Sequence, residues 1–241
     1  MEIIIAIAML TGVFCYYQNN KIVITNIKLK QKINNKVRIA QISDLHSKEF
    51  GKNNDILYKK IIEQKPDIIV ATGDLIDSSM KKLDEIIEFC SSINKDIPMY
   101  YILGNNEMRC SRVSEIVEKL KKNKICVLEN EIESIEVKGN KINILGLAEK
   151  RIDEGELFYS KVNSRYGTEN IEKIFSRLER LDGIKIVLSH YPENFEYVEE
   201  GAYSKYNFDI MFSGHAHGGQ FILPGIGGIF APGQGLFPKY Y

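Results

Sequence analysis

Two short stretches decide the fold: Val37-Arg38-Ile39-Ala40-Gln41-Ile42-Ser43-Asp44-Leu45-His46 and Ile68-Ile69-Val70-Ala71-Thr72-Gly73-Asp74. Each is an apolar run that ends abruptly in polar, chemically competent residues. Ile68 to Ala71 is apolar on both faces, as an interior strand requires. Between the two lies Asp55 to Gln64, where Leu57 and Ile61 stand four apart ahead of Pro66, the spacing of a helix that stops before a proline. The rhythm repeats with a helix over about Met80 to Phe89, a strand over Met99 to Leu103 and the turn Gly104-Asn105-Asn106-Glu107. Asp44, Asp74 and Asn105 are therefore 30 and 31 residues apart, the length of one strand-helix unit. This is an α/β pattern, and open α/β sheets place their ligands at the carboxyl ends of the strands.

Working outward, a helix is expected over about Ser114 to Lys122 and a short strand over Ile125 to Leu128. Glu131 to Val137 and Ile142 to Leu147 flank Gly139-Asn140 as a hairpin. Residues Glu149 to Tyr166 read as a polar loop, followed by a helix over about Glu169 to Leu181. Strand Ile184 to Leu188 ends in Ser189-His190, and strand Phe208 to Phe212 ends in Ser213-Gly214-His215-Ala216-His217. On the amino-terminal side, Lys21 to Lys30 partly alternates and predicts a half-exposed strand. The tail from Gly218 is glycine-rich, and Gly218-Gly219 predicts close backbone approach beside the functional residues.

Composition narrows the function. A chain of 241 residues, 44% hydrophobic and 27% charged, suits one globular α/β domain. Lys+Arg 32 against Asp+Glu 32 leaves no net charge, so no nucleic-acid partner is expected at whole-chain level. Four cysteines without a C-x-x-C pair exclude a disulfide scaffold and a zinc knuckle. Residues 1–20 stand apart: Ile3 to Tyr17 carry no charge and precede Lys21, Lys28, Lys30, Lys32, Lys36 and Arg38. That asymmetry predicts a short membrane anchor with the body, residues 21–241, on the cytoplasmic side.

All four histidines of the chain, His46, His190, His215 and His217, fall just after predicted strands. With Asp44, Asp74 and Asn105 they bring seven nitrogen and oxygen donors to one rim. A donor set without sulfur suits two borderline divalent cations such as Mn, Fe or Zn.

Asp44-Leu45-His46, Gly73-Asp74-Leu75-Ile76-Asp77, Gly104-Asn105-Asn106-Glu107, Ser189-His190 and Gly214-His215-Ala216-His217 are similar, in order, to the five motifs of calcineurin-like metallophosphoesterases. Gln41 to His46 and Gly214 to Gln220 most resemble a membrane-associated bacterial branch. The resemblance implies a four-layer α-β-β-α sandwich and a dinuclear hydrolase that attacks a phosphoester in line with a metal-bridging hydroxide. By that pattern Asp44, His46 and His217 hold one ion, Asp74 bridges, and Asn105, His190 and His215 complete the second site. Two departures stand out. Where the family pattern has histidine, this chain has Asn106, which donates a hydrogen bond but supplies no proton near neutral pH; Asp77 keeps the place of the acid that partners that histidine. The chain also stops at Tyr241, where the branch continues with more strand-forming sequence, so C-terminal strands are expected to be missing. The resemblance implies a phosphoester substrate, lipid-linked if the anchor is real, with a UDP-2,3-diacylglucosamine pyrophosphatase-type enzyme and a non-catalytic metal-binding scaffold as the alternatives.

Overall fold

The computed structural model describes residues 1–148, 171–196, 202–223 and 225–241. Two four-stranded sheets pack face to face. The first runs β1 (Ile39–Ile42), β2 (Ile68–Ala71), β3 (Met99–Tyr101) and β4 (Cys126–Val127) in spatial order, all parallel. The second runs β5 (Glu131–Val137), β6 (Asn140–Gly146), β7 (Ile184–Leu188) and β8 (Ile210–Phe212), antiparallel only in the β5–β6 hairpin.

Alternation along the strands builds the layers. On β2 and β3, Ile68, Val70 and Tyr100 join Ile142, Ile144, Ile186 and Leu188 in the core between the sheets. Their alternate neighbours Ile69, Ala71, Met99 and Tyr101 pack under α2 (Asp55–Glu63), α3 (Leu83–Asn94) and α5 (Val113–Lys122), whose contributions include Ile61, Ile86, Phe89 and Ile116. On the far side, Leu145 and Val187 meet Ile174, Phe175 and Leu178 of α6 (Ile171–Glu179). The result is the expected α-β-β-α sandwich, with every residue of β2 buried. A further body helix, α4 (Asn105–Arg109), is a single short turn that follows β3.

Two local expectations are corrected. Lys21 to Lys30 joins no sheet; Ile22, Ile24 and Leu29 instead line a groove with Ile39, Ile186 and Phe212 beside β1 and β8. Alternation marks which side chains face an apolar surface, but a strand also needs a partner ladder. The second helix begins at Leu83, because Met80 takes a left-handed backbone (φ +54) that an α-helix cannot propagate. The tail folds into two tiny antiparallel ribbons, β9 (Ile222–Leu223) with β10 (Gly227–Gly228) and β11 (Phe230–Ala231) with β12 (Gly235–Leu236). The polar stretch 149–166, expected as a loop, lies outside the described residues.

At the amino terminus, α1 (Glu2–Asn20) is 19 residues long with a mean hydropathy of 1.3 and no buried residue. At 1.5 Å per residue it spans about 28 Å, enough by length and composition to cross a bilayer core.

Candidate metal centre

Parallel strands end together, and their exit loops are stitched to each other before any side chain is considered. The Asp44 N–H donates to Gly73 O (3.1 Å), and those of His46 and Ser47 donate to Asp74 O (2.9 Å) and Leu75 O (2.8 Å), joining the β1 and β2 exits. In the second sheet Ser189 N–H donates to Phe212 O and Gly214 N–H to His190 O, each at 3.1 Å. The two sheets meet at this rim. Asp44 accepts the His215 N–H on both oxygens (3.0 and 3.1 Å), and His190 Nδ1 donates to Thr72 O at 2.8 Å.

These loops turn through unusual backbone. Asp44, His46, Asp74, His215 and His217 all have φ between +48 and +66, a region that costs roughly 1–2 kcal/mol for a residue with a Cβ. Such outliers concentrate where function requires side chains to converge. Glycines make the convergence possible. A Cβ on Gly104 would lie 2.2 Å from Asp74 Oδ1, one on Gly214 would lie 2.7 Å from Asp44 Oδ2, and one on Gly73 would lie 2.9 Å from His190 Nδ1. Gly218-Gly219 does not play this part: the Cβ of residue 219 would meet Gly228 Cα at 2.5 Å, so that glycine admits the tail ribbon rather than the site.

The side chains form two overlapping groups. Asp44, His46 and His217 offer ligand atoms within 4.8 Å of one another, and so do Asp44, Asp74 and His190. The His46 and His217 rings stack with a 14° interplanar angle, their Nε2 atoms 3.2 Å apart. Two nitrogens each about 2.0–2.1 Å from one ion at a near-tetrahedral angle would stand roughly 3.3 Å apart, so the donor pair fits a divalent cation. Asp74 Oδ2 lies 3.9 Å from His46 Nε2 and 3.6 Å from His190 Nε2, a position between the groups. Asn105 Oδ1 is 3.1 Å from His190 Nε2. His215 sits against His190 with ring centroids 5.2 Å apart, and its backbone N–H donates to Asp44.

Electrostatics follows the geometry. Burial alone would raise the Asp74 carboxyl, yet the hydrogen bond and charge of His190, with two bonds from Asn106, hold it well below the carboxylate range. Burial disfavours the His190 cation, but Asp74, Asp44 and the Thr72 carbonyl outweigh it and lift the ring to about 9. Without a metal the two are a buried ion pair. Because Nδ1 is engaged by Thr72 O, Nε2 is the nitrogen that faces the site, the arrangement that fixes a ligating imidazole.

Asn106 adjoins Asp74: its N–H donates to Oδ1 at 2.7 Å and its Nδ2 to Oδ2 at 2.6 Å. Asp77 is engaged by Ser79 N–H (2.7 Å) and by the Ser79 and Ser47 hydroxyls. Thr72 and Gln41, whose Nε2 donates to Thr72 Oγ1 (2.8 Å) and Ser213 O (2.6 Å), support the rim without having been singled out in the sequence. A cavity of about 1080 Å³ opens beside Asp44 and His217, with Phe195, Tyr206, Phe208, Lys239 and Tyr240 among its walls.

Comparison with known proteins adds a family match. The family model for calcineurin-like phosphoesterase matches residues 37–219. The metallophosphoesterase YkoQ of Bacillus subtilis (strain 168) is 27% identical over 235 residues, covering 92% of this chain and 79% of that protein. The phosphodiesterase YaeI of Escherichia coli (strain K12) is 29% identical over 175 residues, covering 71% of this chain and 56% of that protein. Among solved structures, TT1561 of Thermus thermophilus superposes with a TM-score of 0.51 at 16% identity, covering 74% of this chain and 81% of that one, a likeness of fold.

Proposed function

Because the chain belongs to the calcineurin-like phosphoesterase family, we propose that it hydrolyses phosphodiester or pyrophosphate bonds at a centre of two divalent metal ions. The observation that carries the reading is the pair of overlapping donor groups, with Asp74 Oδ2 between the His46–His217 pair and His190. Asp44, His46 and His217 would hold one ion; Asp74 would bridge; Asn105, His190 and His215 would hold the other. When bound, two such ions lower the pKa of a water and neutralise charge on the phosphoryl oxygens.

The chain's own residues do the rest. His190, fixed through Thr72 O, and Asn105 hold their donor atoms 3.1 Å apart. Asn106 locks both Asp74 oxygens and can offer the substrate a hydrogen bond but no proton. General-acid help is worth about 10²–10⁴-fold, so the site suits leaving groups that depart without protonation, such as aryl oxides or the phosphate side of a pyrophosphate. The cavity beside Asp44 and His217 gives room for a leaving group of substantial size. The exposed apolar α1 supports a membrane anchor, with Lys21 to Arg38 favouring a cytoplasmic body, and hence a lipid-linked substrate.

Assay of bis-p-nitrophenyl phosphate with Mn²⁺ tests the proposal. Turnover that chelator abolishes and Mn²⁺ restores supports it. A protein loaded with two ions that stays at background rate is instead a metal-binding scaffold, the reading that Asn106 in the histidine position would favour.

A further inference from the structure

Glu107 is fully buried, and its carboxylate accepts four hydrogen bonds. Oε2 takes the backbone N–H groups of Asp74 and Gly104, both at 2.8 Å, while Oε1 takes the Ile76 N–H at 3.1 Å and the Tyr101 hydroxyl at 2.8 Å. Gly73 (φ +88) and Asp74 (φ +54) are both left-handed. The Asp74 and Ile76 N–H groups of this turn face a concavity that accepts an anion. Glu107 fills it from three residues inside the Gly104 turn, where a helix-capping glutamate reaches back to the N-cap N–H. A cap needs only the Gly104 bond. The remaining three tie α4, which carries Asn105, to the β2 exit, which carries Asp74, and to β3.

We infer that Glu107 is a positioning residue for the metal centre, its carboxylate setting the Asp74 and Asn105 turns at a fixed separation so that the ligand set is formed before ions arrive. The inference rests on the metallophosphoesterase reading of the site. Two devices then act in series on Asp74: Glu107 holds its backbone, and Asn106 holds its two side-chain oxygens at 2.7 and 2.6 Å. A carboxylate is required because all four contacts are donors. Glutamine would offer one oxygen and turn its NH₂ against two of them, whereas aspartate keeps both oxygens but draws them back by about 1.5 Å, one carbon–carbon bond.

The test uses the full chain and Mn²⁺ as the probe. In chelated protein, amide hydrogen exchange at Asp74, Ile76 and Gly104 reads the clamp directly, with amides of β6 and β7 as the reference for global stability. Calorimetric titration with Mn²⁺ then reads its consequence. For Glu107→Gln the three amides are expected to exchange at least tenfold faster relative to the reference, and Mn²⁺ affinity to fall about 10–100-fold, the usual cost of losing a group that orients metal ligands. The kcat on bis-p-nitrophenyl phosphate falls while KM holds. Glu107→Asp recovers part of the affinity, and Tyr101→Phe, which deletes only the hydroxyl bond, shifts the same readouts by a smaller factor. A folded Glu107→Gln protein with a lower Tm but unchanged Mn²⁺ affinity overturns the inference, since that is what a merely structural residue would give. If Glu107→Gln does not fold, unchanged affinity in both Glu107→Asp and Tyr101→Phe overturns it equally. Wild-type protein that takes up no Mn²⁺ refutes the metal reading instead, and the exchange measurement still judges the clamp.

Discussion

Gly104→Ala perturbs the placement of Asp74 through a single added methyl group. Gly104 has φ −96 and ψ −174, extended backbone that alanine adopts without strain. The substitution therefore acts through the new methyl group alone. That methyl would stand 2.2 Å from Asp74 Oδ1 and 2.5 Å from Asp74 N, where ordinary contact begins at 3.4 Å. Either the turn or the carboxylate must retreat by about 1 Å, at an overpacking cost of roughly 1–3 kcal/mol. Metal-ligand distances tolerate only about ±0.2 Å, and a 1 Å misplacement at a reacting centre can cost about 10²-fold. Mn²⁺ affinity should fall at least tenfold, and the rate at saturating Mn²⁺ about a hundredfold, measured by calorimetry and bis-p-nitrophenyl phosphate hydrolysis. Gly139→Ala is the control: φ is +76 in the β5–β6 turn, with only Asn34 Nδ2 at 4.0 Å, so alanine should cost about 1 kcal/mol of stability and leave both readouts alone. Gly104→Ala protein with wild-type affinity and rate would refute the claim that Asp74 is a ligand held under steric constraint.

Two further perturbations probe the same site differently. Asn106→His should raise the rate most on alkyl esters, whose leaving oxygen needs a proton, and least on p-nitrophenyl esters; equal gains across leaving groups would count against the missing-acid explanation. The buried pair predicts a pH profile for chelated protein. His190 is raised from 6.5 to about 9, so its stabilisation is complete below 6.5 and is lost as pH rises through 9. Asp74 is depressed below 3.8, so its stabilisation is present above that pH and is lost on further acidification. Tm without metal should therefore be highest between about pH 4 and 6.5 and fall toward pH 9 by several degrees. Mn²⁺ affinity should rise over the same interval, because binding must expel the His190 proton; a Tm flat from pH 6 to 10 would contradict the ion pair.

The layered fold was readable wherever a single segment carried its own signal. Ile68 to Ala71 announces an interior strand because both faces are apolar, and each strand-end motif announces the rim because polar chemistry begins within a few residues of the apolar run. What could not be read depended on partners far away in the chain. Lys21 to Lys30 has strand-like alternation, but a ladder exists only if another edge receives it. The Gly218-Gly219 pair looked like room beside the metals; its neighbour is Gly228, a relation set by how the tail ribbon folds. Glu107 was visible as part of a motif, yet two of its four donors, the Asp74 and Ile76 N–H groups of the β2 exit, lie 33 and 31 residues away in the chain. His215 was marked as a ligand by its spacing from His217, and the structure adds a second part that spacing does not announce: its backbone N–H donates to both Asp44 oxygens.

The central claim is that this rim binds two ions, and metal stoichiometry tests it most directly. Full-length protein stripped with chelator and titrated with Mn²⁺ should take up two equivalents, with spin coupling between them in electron paramagnetic resonance. His217→Ala, which breaks the pair whose nitrogens lie 3.2 Å apart, should leave one equivalent and no coupling. Uptake of one ion or none by the unmodified chain, or two coupled ions after His217 is removed, contradicts the account.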